Sequence, residues 1–519
     1  MSASQSSNTS SGQPSCGEEV DPYVLHESRI QEPPTSFAKS LQYLGPGFIL
    51  SASIVGSGEL IATTLVGAEA GFILMWFIIF SCLVKVTVQL EFGKHAISSG
   101  ESTMASLNTL PGPKFRGANW SIWVWLGLMA IKMMQVGGIV GGVVLAIEQF
   151  APNWTETPAI HIPLTFMVAA SVSLLIFRGY YGLIEKAALI MIGGFTIFTV
   201  VSLCSLQYTD NAITAEQFLS GLLPSIPERT AILFVAMGAF GITGVGGDEI
   251  MAYNYWLIEK GYAAYTGPKN ESEEWETRAR GWIKVMYWDA LLSMVAYTAM
   301  TVMFYLLGAA VLQGHEVEEA NLISELGLMY TESLGPWANV LWILGAIVVL
   351  YSTLMGALAA WTRMFSDAFG RVGLFDFSNF EQRRTAIAWL AWIIPAIWSL
   401  LFLWLKKPAL MVFLGGLATV AILLIVVFAA MFFRYKRQDR RLRPTVFYDI
   451  ALWLSVVAIT IVAGFSLYKA VDSFVAPAGN QTTPVEAAAE NKAAAGDNGE
   501  SGSRTNGSDG SVSEAESNQ

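Results

Sequence analysis

The sequence predicts an all-α polytopic membrane protein of about eleven transmembrane helices, built as two five-helix units of opposite orientation plus one extra span. Three observations carry this expectation. Of 519 residues, 53 % are hydrophobic and only 14 % charged, which is too apolar for a soluble chain of that length. Apolar runs of roughly 18 residues or more recur along it. The third is an echo. Val55-Gly56-Ser57-Gly58-Glu59-Leu60-Ile61-Ala62 reappears as Val245-Gly246-Gly247-Asp248-Glu249-Ile250-Met251-Ala252.

Taken in order, residues 1–38 are polar and low in complexity and read as a disordered tail on the cytoplasmic side. A first repeat over residues 39–206 holds span 1 (Leu41–Ala70), span 2 (Phe72–Ile97), span 3 (Trp120–Phe150), span 4 (Pro163–Phe177) and span 5 (Leu183–Leu206). A second repeat over residues 207–433 holds span 6 (Thr230–Ile258), span 7 (Trp282–Leu312), span 8 (Trp337–Trp361), span 9 (Ala386–Leu405) and span 10 (Ala409–Phe433). Residues 434–475 are a basic loop and span 11, and residues 476–519 read as a disordered acidic tail. In span 3 the run Gly137-Gly138-Ile139-Val140-Gly141-Gly142 invites close helix packing.

Lysine and arginine placement sets the expected orientation. Loops after even-numbered spans hold nearly all the loop cations, from Lys94, Lys114 and Arg116 to the Arg434–Arg443 cluster. The other side holds chiefly Arg229, Lys406, Lys407 and Lys469. Cations stay inside, so the N-terminus is expected inside and the C-terminus outside, in a plasma (inner) membrane. Five spans per unit force the second unit to insert upside down, and the echo falls on the first helix of each.

The echo is where chemistry is expected. A carboxylate at membrane depth costs about 3 kcal/mol even on a lenient scale, so it marks a functional site. Glycines let the backbone leave the helix, which lipid forbids unless the opened groups line a protein-walled cavity. Glu59, Asp248 and Glu249 each follow a break, where the helix dipole returns only about 0.3–1 kcal/mol. The expected substrate or ion site is Gly56, Ser57, Glu59, Thr243, Asp248 and Glu249, with Glu59 and Glu249 as metal ligands. Of the adjacent acids, Glu249 is expected inward because it matches Glu59. Opened carbonyls from Ser53–Gly56 and Gly241–Gly244 would complete an all-oxygen set suited to Mg²⁺, Mn²⁺ or another hard divalent ion. Lys132 and Lys85 are candidate charge partners, Lys132 pairing with Glu59 or Glu249. Met251 reads as core, Asp289 as the partner of Arg278 or Lys284, and Glu91, Glu185 and Lys186 as interfacial.

The residues Gly45-Pro46-Gly47-Phe48 through Gly58, then Leu60-Ile61-Ala62-Thr63, Gly67-Ala68 and Ser352-Thr353-Leu354-Met355-Gly356, resemble the Nramp family of divalent metal transporters. The resemblance runs over roughly residues 39–433. It implies a LeuT-type fold, in which substrate binds where helices 1 and 6 of the two inverted repeats unwind. The family's span 1 motif Asp-Pro-Gly-Asn is here Gly56-Ser57-Gly58-Glu59, and its span 6 motif Met-Pro-His finds no Met, Pro or His at Val245–Asp248. Lys132 and Gln135 stand where the family's proton route has acids. The expected function is a secondary transporter moving a cation, a divalent metal ion first, in a lipid bilayer, with no cofactor and no nucleic acid. The alternative keeps the fold and moves a small organic solute or amino acid. A membrane sensor or an enzyme finds little support, since no signalling domain and no nucleophile–base pair stand out.

Overall fold

The computed structural model describes residues 21–150, 157–177, 181–227, 230–315 and 317–475. Helices occupy every expected span position. Span 1 runs Pro46–Ile54, Val55–Thr63 and Thr64–Ala70; span 2 is Met75–Ser99, span 3 Trp120–Glu148, span 4 Pro158–Phe177 and span 5 Tyr181–Leu206. Span 6 is Thr230–Ile242 and Gly247–Lys260; span 7 is Glu273–Val311, span 8 Ala338–Val372, span 9 Phe380–Leu405, span 10 Pro408–Phe432 and span 11 Val446–Val475. Among the described residues, 8 single helices are long and apolar enough to cross a membrane, and the bent pair in span 1 makes 9. Strand pairing among the described residues is confined to a short hairpin, Lys114–Phe115 with Ala118–Asn119.

Several helices run past their apolar stretch. Glu259–Arg280 is not one open loop, because span 7 starts at Glu273. Ser272 caps that start by accepting the Trp275 N–H, and Glu273, Glu274 and Glu276 complement the dipole in the first turn. Span 8 continues from Trp361 to Val372, its polar end tied by Arg371 to Asp367 at 3.0 Å.

The spans pack in two groups. Spans 1, 2 and 7 and the second half of span 6 pack together, and spans 3, 8, 9 and 10 form the other group. Small residues bring backbones close in the second. A Cβ on Gly141 would lie 2.2 Å from the Phe402 ring, and one on Gly138 would lie 2.6 Å from the Pro408 carbonyl. The first half of span 6 meets span 10 the same way, Gly241 facing the Gly416 carbonyl.

Asp289 does not pair with Arg278 or Lys284. Its Oδ1 accepts the Gly45 N–H at 2.8 Å, and its Oδ2 accepts the Gly47 N–H at 2.6 Å and the Tyr253 hydroxyl at 2.9 Å. The first N–H groups of a helix have no partner within it, so a buried carboxylate there meets a need that lipid cannot. Arg278 instead donates to the Thr266 carbonyl at 3.2 Å. Glu91 is buried in span 2 against Lys94. Met251 is core, as expected. The Glu185 and Lys186 side chains lie outside the described residues.

The tail expected over residues 1–38 divides. Residues 1–20 lie outside the described residues, whereas the stretch from Asp21 is laid across the cation-rich face. Asp21 pairs with Arg383 at 2.7 Å, the Tyr23 hydroxyl donates to Glu259 at 2.8 Å, and the Trp282 indole donates to the Gln31 carbonyl at 3.0 Å. A few aromatic and charged contacts order this polar segment, a signal that low complexity hides. Residues 476–519 lie outside the described residues.

Replacing Asp289 by Ala orphans three buried donors, which at about 1–3 kcal/mol for each unsatisfied group makes it among the most damaging polar substitutions in the chain. Thermal unfolding of the detergent-solubilised protein is expected to fall by several degrees; an unchanged midpoint would contradict the clamp.

Candidate functional site

Span 6 breaks over Thr243–Gly246, where Gly244 takes φ +65° and a Cβ would lie 3.0 Å from the Cys82 sulfur. The break exposes backbone ends that nothing in a bilayer could satisfy, and buried charged side chains meet them. Lys85 Nζ of span 2 donates to the Phe240 and Thr243 carbonyls, each at 2.5 Å. Glu59 Oε1 of span 1 accepts the Gly244 N–H at 2.9 Å and the Thr301 hydroxyl at 3.0 Å. Cation on carbonyl and carboxylate on N–H each match the partial charge they face.

Span 1 does not unwind to an open loop. Over Val55–Thr63 it widens into i→i+5 hydrogen bonding, and the helix bends by 44° across this stretch. The Thr63 hydroxyl donates to the Gly58 carbonyl at 2.9 Å and lies 3.3 Å from the Thr243 hydroxyl, which joins the two broken helices. The carbonyls expected to open at Ser53–Gly56 therefore stay within a helix, and the Thr243 carbonyl is already bonded by Lys85. A wide turn uses the same glycines as an open loop, so sequence does not separate the two.

On the other side of the break lies a cavity of about 20 Å³ whose polar wall includes Lys132, Gln135, Asp248, Glu249, Thr353 and Trp361. It is built by spans 1, 3 and 8 and the second half of span 6. Lys132 Nζ is paired with Asp248 Oδ1, donates to the Thr419 hydroxyl at 2.8 Å and lies 3.8 Å from Glu249 Oε2. The Trp361 indole donates to Asp248 Oδ2 at 3.1 Å. Asp248 is 2 % exposed and Lys132 1 %. Glu249 Oε2 makes no hydrogen bond, and a Cβ on Gly246 would lie 2.2 Å from it.

The expected set thus divides in two. Glu59, Thr243 and Lys85 sit at the break itself; Lys132, Asp248 and Glu249 share the cavity. Both adjacent acids line it, not Glu249 alone, and Lys132 takes Asp248 as its partner rather than Glu59. Glu59 is not on the cavity wall, so it and Glu249 are not brought into one ligand set. Among the described residues no group of three or more His, Cys, Asp or Glu is placed to hold a metal ion. The Ser57 side chain lies outside the described residues. Gly56 contributes by size: a Cβ there would come within 1.9 Å of Thr353 Oγ1. Thr301, Trp361 and Thr419 were not singled out from sequence. Lone hydroxyls and an indole in apolar runs give no signal until a charge is placed beside them.

A buried charged cavity at the break of a membrane helix, flanked by a second bent helix, is the arrangement expected where a LeuT-type fold would bind a substrate. The family model described as natural resistance-associated macrophage protein-like matches residues 47–469, so the chain belongs to the Nramp family. A divalent metal cation transporter of Caldanaerobacter subterraneus subsp. tengcongensis is 28 % identical over 213 residues, 40 % of this chain and 45 % of that protein. The chain thus spans a little under half the length of that relative. A solved structure of a manganese transporter variant from Eremococcus coleocola aligns at TM-score 0.63 and 15 % identity, over 91 % of this chain and 96 % of its own. MhsT in complex with L-phenylalanine aligns at TM-score 0.54 and 13 % identity, over 83 % and 100 %. Both show the shared fold. The chain is a multi-pass integral membrane protein.

Gly56→Ala is expected to push Thr353 out of the cavity wall and weaken substrate stabilisation of the protein, with partial recovery in the Gly56→Ala/Thr353→Ala pair. A double-mutant cycle on ligand-dependent unfolding measures this; strictly additive effects would contradict the contact.

Proposed function

We propose that this chain is a secondary transporter that moves a divalent metal cation across the membrane through the cavity beside the span 6 break. The observation that carries the reading is the pair Asp248 and Glu249, held in a lipid-depth cavity by a chain of the Nramp family. Two carboxylates at a helix N-terminus give a strong local field for a hard ion, and Gln135, Ser53 and Thr353 on the same wall offer neutral oxygens. The missing Met and His of the family motif favour Mg²⁺ or Mn²⁺ over softer ions. Glu59 supports the site from behind by fixing the break rather than by touching the cargo. Transport, not chemical conversion, is the activity this supports. The loop cations favour an N-terminus inside and a C-terminus outside, and the membrane we propose is the plasma membrane.

Cavity size favours this over transport of an organic solute. Lys132 facing two carboxylates would suit a zwitterion. However, about 20 Å³ holds about one water or ion, whereas small-molecule pockets run to roughly 300–1,000 Å³.

Reconstituted in liposomes, the protein is expected to take up Mg²⁺ or Mn²⁺, and Glu249→Gln to lose at least tenfold of the initial rate. Glu59→Gln is expected to lose thermal stability along with flux. No uptake of Mg²⁺, Ca²⁺, Mn²⁺ or Fe²⁺, with stabilisation by amino acids instead, would overturn the proposal in favour of the organic solute.

A further inference from the structure

Lys132 is not needed to bind a cation, and by charge alone it works against one. It is buried, it comes from span 3 in the opposite packing group, and its ammonium lies between the two carboxylates. Its bonds are unequal. Asp248 is held twice, by Lys132 and by the Trp361 indole, and keeps its orientation through the indole if the ammonium leaves. Glu249 lines the cavity, and its buried Oε2 has no hydrogen bond. The Thr419 hydroxyl accepts from Lys132 at 2.8 Å while donating to the Gly415 carbonyl at 3.0 Å, so its acceptor lone pair is fixed toward the ammonium.

We propose that Lys132 is a resident cation: its ammonium occupies the Asp248–Glu249 pair until a divalent ion displaces it from the carboxylates, leaving it the Thr419 hydroxyl it already holds, and it thereby excludes monovalent ions. This rests on the cation reading above. A sodium or potassium ion brings the same single charge that the tethered ammonium already supplies, and must shed water to do so. It gains nothing by the exchange. A divalent ion brings twice the charge to two carboxylates in a poorly screened site, where the Coulomb difference is largest. The side chain moves and the backbone does not: Lys132 has the rotatable four-carbon stem that such an exchange needs. The lysine also keeps the empty cavity from holding two uncompensated carboxylates, a state that buried pairs tolerate poorly.

The test uses the full-length protein in detergent, read by thermal unfolding with added Mg²⁺, Mn²⁺ or Na⁺. Lys132→Met is expected to unfold at lower temperature without ions, to bind Mg²⁺ or Mn²⁺ at least tenfold more tightly than the unmodified chain, and to gain stabilisation by Na⁺ that the unmodified chain lacks. Lys132→Arg keeps the charge and is expected to keep the exclusion of Na⁺. If the unmodified chain binds divalent ions and Lys132→Met binds them equally or less tightly, or shows no Na⁺ response, the resident-cation proposal falls while the transport reading stands. If neither the unmodified chain nor Lys132→Met binds any divalent ion, the transport reading itself falls. Should Lys132→Met fail to fold, Thr419→Val serves instead: it removes the resting place of the ammonium and is expected to weaken divalent binding severalfold, and unchanged binding overturns the proposal.

Discussion

The interrupted backbone of span 6 must have partners within the protein, because the bilayer interior has no water to offer. Everything near the cavity follows from how that need is met. Lys85 takes the carbonyl end of the first half, and Glu59 takes the Gly244 N–H. With the break held by spans 1 and 2, the second half of span 6 can begin at Gly247 with two acids in its first turn. A looser break would let Asp248 and Glu249 drift, and a cavity of this size tolerates little drift.

The consequence for reading the chain is that charged residues near a helix break divide by task. Glu59 looks like a ligand from sequence, since it is a carboxylate after two glycines in the first helix of a repeat. In the structure its Oε1 accepts a backbone group while its Oε2 has no hydrogen bond, and the glycines around it serve packing: Gly58 meets the Ile242 carbonyl and Gly56 meets Thr353. Glu249 occupies the matching place in the echo and faces the cavity. Repeat symmetry therefore located both breaks without fixing which one faces the cavity, because the two repeats stand in one asymmetric protein.

The span positions, the glycine-mediated contacts of span 3 and the position of the break in span 6 were legible from apolar runs and small residues alone. The widened turn in span 1 was not, since i→i+5 bonding and an open loop ask for the same sequence. Nor was the presence of both Asp248 and Glu249 in the cavity. Adjacent residues diverge in mid-helix, but at a helix end that abuts a cavity both side chains can reach it. The Lys132–Asp248 pair joins residues 116 apart and belongs to tertiary structure. The helical extensions beyond Trp361 and before Trp282 were hidden by charges that hydropathy counts as loop and that capping and i,i+4 pairs make helical.

Asp289 gathers the first N–H groups of span 1 and the hydroxyl of Tyr253 on a single carboxylate. A change at that one carboxylate, which never touches the cavity, would therefore reach the start of span 1 and the second half of span 6 at once.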